Sequence, residues 1–420
     1  MWRALYTLLL AAATPLMLAR WWWRGRREPG YRRRVEERFG TYRDAASAPL
    51  LWLHAVSVGE ARAAAPLVRA LEESLPTHEL LLTCTTAAGR EALHRLHGET
   101  ALIAWLPYDT PGPVRRFLEH FRPQLGVLVE TEIWPNLLAA CREFGVPVLL
   151  ANARMSERSA AGYRRWAGLT RAAFESLAGT LAQSEDDAAR LAALGAAAVE
   201  ITGNLKFDVQ PNREKLEEGR AWRASLGRQV LLLASTREGE ERTLLEALPE
   251  DLGGALVVVV PRHPRRFDEV AALASGRRSE GHAPGPGERV YLGDTMGEMD
   301  FYYGAADAAV IGGSFAPLGG QNLIEALAAG VPVVLGPSMF NFAQAARLAS
   351  EAGAALQAAD AQEAGRLAAS LLGDPARRSA MGEAGRTLCE AHRGATRRHL
   401  ETCLRLLKGA CPLFTARGRG

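Results

Sequence analysis

Charged residues in this chain gather where apolar runs break off, which is where side chains can do chemistry. An apolar stretch ends at Ser57, Val58, Gly59 and Glu60, and an alanine-rich helical pattern follows. Glu60 supports two readings. Ser57 with an acid three positions on is the spacing of a helix capping box. A carboxylate after the first strand of an α/β domain is also a common position for a catalytic base. A Glu60 folded back on the helix start would be less available to a hydroxyl, so the base reading expects it to face an interdomain cleft. VETEIWPN (129–136) carries Glu130 and Glu132, which are costly to bury unless a cation is near. Lys206, in GNLKFD (203–208), reads on its own as a surface residue more readily than as a site residue.

The second half has three further polar interruptions. PRHPRRF (261–267) places Pro261, Arg262, His263, Arg265 and Arg266 behind a valine-rich run, and planar guanidinium donors suit phosphate oxygens. GDTMGE (293–298) brings Met296, Gly297 and Glu298 to another run's end. The segment 312–337 holds Gly313, Ser314, Gln321, Asn322, Leu323, Ile324 and Glu325. Its glycines let backbone N–H groups approach a ligand, and a helix over 322–329 would point its positive end at an anion. Ser314, Gln321, Asn322 and Glu325 are the ligand candidates there, since loops after parallel strands build sites. Gly330 and Pro332 read as ordinary punctuation.

The elements that must position these residues follow from hydrophobic patterning. Seven apolar runs between residues 50 and 204, and five more between 230 and 338, alternate with segments whose apolar residues recur three and four apart. That alternation predicts parallel sheets covered on both faces. The fold class is therefore α/β, with two Rossmann-like doubly wound domains facing a cleft. The boundaries are an N-terminal membrane anchor over 1–24, a basic juxtamembrane segment over 25–49, a first domain over 50–205, a linker over 206–228 and a second domain over 229–420. Residues 275–288 read as an exposed loop.

Residues 4–19 carry no charge, Trp21, Trp22 and Trp23 follow, and seven arginines lie between Arg20 and Arg34. Charge behind the apolar run is the reverse of a cleaved signal peptide. It predicts a helix in the membrane with the rest of the chain on the cytoplasmic side. The net charge of +3 over 420 residues gives no basic face for nucleic acid. Five scattered cysteines without CxxC spacing read as reduced thiols. The strands are followed by no GxGxxG, and P-loop, HExxH and Asp-x-Asp patterns are absent, so neither a cofactor nor a metal is expected.

Taken together, LHAVSVGE, LPYDTPGPVRRFL, VETEIWPNLL, ANARMSERSAAGY, GNLKFD, ASTREGEE, VPRHPRRF, GDTMGEM and GGSFAPLGGQN closely resemble the 3-deoxy-D-manno-octulosonic acid (Kdo) transferases. The resemblance implies a GT-B glycosyltransferase at the inner membrane. It would move Kdo from CMP-Kdo to the tetraacylated lipid A precursor, with inversion and without a bound metal. The first domain would then hold the acceptor and the second the nucleotide sugar. The resemblance also gives Glu60 the role of general base and Glu130 that of supporting the transition state. Pro261, Arg262, Met296, Gly297, Glu298, Asn322, Leu323, Ile324 and Glu325 map onto CMP contacts. Arg262 and Lys206, with N–H groups near Gly313 and Ser314, would stabilise the departing phosphate. The arginine cluster would favour anionic lipid and the acceptor's phosphates. Arg237 stands where the family is expected to carry histidine. Other readings are a GT-B glycolipid transferase using a UDP-sugar, a sugar-nucleotide epimerase of the same fold, and a non-catalytic membrane-bound sensor.

Overall fold

The computed structural model describes residues 2–26, 28–208, 210–281 and 283–409. Two compact units form: Met1–Asp208 with Arg393–Gly420, and Val209–His392. The first contains seven strands: β1 (Leu50–His54), β2 (Glu79–Cys84), β3 (Ala101–Trp105), β4 (Leu125–Val129), β5 (Val148–Ala153), β6 (Gly179–Ala182) and β7 (Val199–Ile201). They lie in the order β3-β2-β1-β4-β5-β6-β7, all parallel. The first six follow the doubly wound order, with the switch point between β1 and β4. β1 is buried throughout because helices cover both faces of the sheet, so it reads as a continuous apolar run.

The second unit repeats the plan with β8 (Val230–Thr236), β9 (Leu256–Pro261), β10 (Gly276–Arg277), β11 (Val290–Leu292), β12 (Ala308–Ile311), β13 (Val333–Leu335) and β14 (Ala355–Gln357). Their order is β10-β11-β9-β8-β12-β13-β14, again parallel. Here β8 and β12 flank the switch point. The short edge strands β10 and β14 carry too few apolar residues to stand out in sequence, and β10 falls within the segment read as a loop.

Two expected boundaries change. The stretch expected as a linker forms the helix Arg213–Leu226, which belongs to the second unit. It packs backbone to backbone on the helix Met299–Ala305: a Cβ on Gly219 would lie 2.0 Å from the Phe301 carbonyl oxygen, and one on Gly304 would lie 2.2 Å from that of Leu216. A mostly polar helix is retained because two glycines let it dock closely. The second domain also does not run to 420. The helix Ala395–Leu407 returns to the first unit, where Ala395, Cys403 and Leu406 join the core beneath the helix Val58–Ser74. Cys84, Cys141, Cys389 and Cys403 are buried and form no disulfide among the described residues; Cys411 lies outside them.

The helix Trp2–Arg24 is long and apolar enough to cross a membrane. It nevertheless lies along the first unit. At one end Trp2 meets Trp166 edge to face at 6.5 Å, the Tyr6 hydroxyl donates to Asp109 at 3.0 Å, and Thr7 hydrogen-bonds Asn136. At the other, Trp21 packs on Tyr31 at 4.6 Å. A helix of this length spans about 35 Å at 1.5 Å per residue, so contacts at both ends fix its direction. Leu5, Leu8, Leu9, Leu16, Trp22 and Trp23 stay exposed on its far side.

The segment 25–49 is more than a basic surface. Glu37, only 2% exposed, accepts from Arg90 at 2.9 Å and from the Trp105 N–H at 2.9 Å. The Arg38 guanidinium is sandwiched at 4.0 Å from both the Trp21 and Trp105 rings. Arg38 therefore docks the helix rather than facing outward.

Candidate active site

In the first unit, Glu60 and Glu130 follow β1 and β4, the two strands that flank the switch point. Ser57 caps the helix Val58–Ser74 by accepting from the Glu60 N–H. One Glu60 carboxylate oxygen accepts from the Val56 N–H at 2.5 Å, and the other accepts the Ser57 hydroxyl at 3.2 Å. The carboxylate does fold back, one residue further than in a standard capping box. The expectation of a Glu60 turned away from the helix start is thereby corrected, because the Val56 N–H and the Ser57 hydroxyl hold both carboxylate oxygens there. The cap fixes its orientation but supplies no cation. Burial, and then the charge of Glu130, raise its pKa to about 7, against the hydrogen bonds from Val56 and Ser57 and the charge of Lys206. Glu132 is raised to about 8, by burial and then by Glu60.

The cation that the paired glutamates require is Lys206, whose ammonium donates to Glu130 at 3.2 Å. Lys206 thus sits among the carboxylates of the first unit. Glu130 has φ 67°, a left-handed backbone that non-glycine residues rarely adopt, while its N–H donates to the Ala151 carbonyl at 2.9 Å. That conformation turns the chain sharply at the strand end.

The second unit places its candidates differently. Arg262 follows β9, its N–H donates to the Thr236 carbonyl, and its Nε donates to Gln321 Oε1 at 3.2 Å. Arg237, Arg262 and Arg265 surround His263, whose pKa is lowered by burial and then by these arginines, the pattern of a locally positive site. Gly313 takes φ 68° and donates its N–H at 2.6 Å to Glu240, which also accepts from Phe315 at 3.0 Å and Arg237 at 2.8 Å. The N–H groups expected to cradle an anion there are therefore already bound to an internal carboxylate. Ser314 is fully buried; it donates to the Ile311 carbonyl and accepts from the Gly336 N–H, bracing the loop rather than facing a ligand.

The helix expected over 322–329 begins at Ile324 and has six residues. Asn322 accepts from the Ile324 N–H and donates to Glu325. Leu323 and Ile324 are buried in the core, so only their backbones are available to a ligand. Met296 and Gly297 are exposed, whereas Glu298 binds Thr295 and Arg278. Pro261 is buried at the end of β9. Sequence reasoning missed Glu240 as the organiser of the glycine loop. The position of Glu240 three residues after Arg237 was the available signal, the same side-chain-to-backbone spacing as Ser57 and Glu60.

Two doubly wound parallel sheets with polar sites at their carboxyl ends define the GT-B class of α/β fold, and a model described as glycosyl transferases group 1 matches residues 284–388. A second model, described as 3-deoxy-D-manno-octulosonic-acid transferase (kdotransferase), matches residues 33–209. The 3-deoxy-D-manno-octulosonic acid transferase of Bordetella pertussis is 50% identical, covering 96% of this chain and 98% of its own. That of Haemophilus influenzae is 36% identical over 96% and 98%. The chain belongs to the Kdo transferase family and is a glycosyltransferase. Among solved structures, a putative UDP-N-acetylglucosamine 2-epimerase from Listeria monocytogenes superposes with a TM-score of 0.59 at 16% identity, over 87% of this chain and 98% of that one. That likeness concerns the fold alone.

Proposed function

We propose that this enzyme transfers Kdo from CMP-Kdo to the lipid A precursor lipid IVA, in lipopolysaccharide core biosynthesis, with inversion and without a metal. A sugar hydroxyl is a poor nucleophile, and a base that takes its proton as the bond forms lowers the barrier. Glu60 is that base. The observation that carries this reading is the placement of Glu60 behind β1, its carboxylate held by Ser57 and Val56 beside the Glu130–Lys206 pair; burial there pushes its pKa up to about 7, the range a base working at neutral pH needs.

Lys206 pairs with Glu130, and the pair supports the positive charge that develops at the anomeric centre. The expectation that Lys206 also reaches the departing phosphate is retained as part of the proposal. In the second unit Arg262, steered by Gln321, meets the CMP phosphate as it gains charge. Pro261, Met296, Gly297, Glu298 and Asn322 through Glu325 complete the nucleotide site. The glycine loop at Gly313 and Ser314 shapes that site through Glu240.

The acceptor's acyl chains stay in the bilayer. The exposed leucines and tryptophans of the helix Trp2–Arg24 support a first unit that works at the cytoplasmic face of the inner membrane. Since the helix lies along that unit, it beds into the interface rather than standing across the bilayer. Incubation with CMP-Kdo and lipid IVA, followed by mass spectrometry of the lipid, is expected to give a Kdo adduct with release of CMP. Turnover of a UDP-sugar with no reaction of CMP-Kdo would overturn the reading.

A further inference from the structure

We infer that Asn152 is a positioning residue for the proposed reaction, coupling the C-terminal helix Ala395–Leu407 to the placement of Lys206 against Glu130. The inference rests on the site reading above. Asn152 stands at the end of β5, fully buried, with a left-handed backbone of φ 50°. Its N–H donates to His399 Nε2 at 2.9 Å. Its side-chain oxygen accepts from the Leu205 N–H at 3.0 Å, and its carbonyl accepts from Gln183 Nε2 at 2.8 Å. The Gln183 oxygen accepts from Asn204, and the Asn204 oxygen accepts from the Lys206 N–H at 3.0 Å. Two routes from Asn152 therefore converge on the backbone that carries Lys206. The preceding residue, Ala151, accepts from the Glu130 N–H, so both members of the ion pair are referred to the same short piece of β5.

The C-terminal helix anchors the far end of this arrangement. His399 Nδ1 lies 2.7 Å from the Ala395 carbonyl and so carries the proton, which leaves Nε2 as the acceptor that Asn152 needs. Asp208 caps the start of that helix through the Gly394 and Thr396 N–H groups, and Arg398 donates twice to the Thr202 carbonyl. The turn over 202–208 is thus clamped on one side by β5 and β6 and on the other by a helix from the end of the chain. A buried polar network of this kind rigidifies the residues that it joins. In this one the Asn152 side-chain N–H2 has no partner among the described residues. Asparagine is retained for its oxygen and its backbone conformation, with one donor left unsatisfied.

A purely structural role would change stability alone. A positioning role must also change the charge felt by Glu60, which is faced by Glu130 and Glu132 from the segment after β4, by Lys206 from the clamped turn, and by Ser57 from its own helix start. Of these only Lys206 is cationic. Loosening it lets Glu60 hold its proton to higher pH. The test compares the wild type with Asn152→Gly, which keeps the left-handed backbone unstrained and removes only the side chain. Both are assayed for kcat, for KM of CMP-Kdo and for the pH dependence of kcat.

The expected result is a roughly 10- to 100-fold fall in kcat, an unchanged KM for CMP-Kdo, and an acid limb moved upward by at least about half a pH unit. A wild type with no acid limb near pH 7 would defeat the Glu60 base assignment itself. A wild type with that limb, beside a folded Asn152→Gly whose limb and kcat do not move, would defeat the positioning role alone. If Asn152→Gly fails to fold, the same assay is run on His399→Ala and His399→Gln. Recovery of kcat and of the limb by glutamine, which restores an acceptor, supports the role; equal behaviour of the two variants overturns it.

Discussion

Both sheets reverse their strand order at a central switch point, β1/β4 in one and β8/β12 in the other, and place opposite chemistry there. After β1 and β4 the chain gathers three glutamates and one lysine, and it leaves Glu60 undecided between its two protonation states near neutrality. After β8, β9 and β12 it gathers arginines and glycines, and its buried acid is spent internally: Glu240 binds three backbone N–H groups. The lesson is that backbone topology fixes where a site forms, while the balance between desolvation and counter-charge fixes what it does. A carboxylate left half-buried among other carboxylates, with a single shared lysine, has the surroundings that the proposed base requires. One enclosed by three backbone N–H donors acts as scaffolding.

Glu60→Gln is the sharpest test of that contrast. It should reduce turnover about 10³-fold while CMP-Kdo binding, by calorimetry, stays within error; near-normal turnover would remove the base. The same variant should be more stable than wild type at pH 8. The sign follows from the raised pKa of Glu60: burial favours its neutral form, so its contribution to stability is complete below the unfolded pKa and is lost as pH rises through about 7. Glutamine stays neutral, and an unchanged Tm difference between pH 5 and pH 8 would mean that desolvation is not what raises the Glu60 pKa.

Glu240→Ala comes next. Leaving three N–H groups without an acceptor should destabilise the second unit by about 3 kcal/mol, read from thermal melts. Unchanged stability would break the view of Glu240 as scaffolding. Arg262→Ala should weaken CMP binding roughly 10-fold, with little change in Tm. The smallest effect is expected for Arg237→His, where CMP affinity should shift by no more than about 3-fold, because it is the Arg237 backbone N–H that binds Glu240. A larger loss would place its guanidinium on the nucleotide.

The unequal legibility of the two sites has a physical basis. Twelve of the strands could be read because parallel strands buried on both faces are unbroken apolar runs, and Glu60, Glu130, Arg262 and Gln321 could be read because they interrupt such runs. The partner of Glu130 was anticipated as some cation, from the cost of burying it, but not as Lys206, which lies 76 residues away. His399, Asn152 and Glu240 stayed hidden because their significance lies in long-range pairing or in which N–H groups a loop leaves unsatisfied, and periodicity records neither. The helix Arg213–Leu226 was missed because glycine, a helix weakener by propensity, serves there as the contact surface.

The return of the C-terminal helix to the first unit has a consequence for synthesis. Asn152 and His399 hydrogen-bond across 247 positions of sequence, with the whole second unit made in between. The first sheet can collapse while its nascent chain is still being extended, but the turn carrying Lys206 lacks its clamp until the last helix leaves the ribosome. Assembly of the turn that presents Lys206 to Glu130 is thereby deferred until the second unit has also been translated. Chimeras between relatives should accordingly be cut at both 208 and 392, and a graft joined at the first position alone would carry a mismatched clamp.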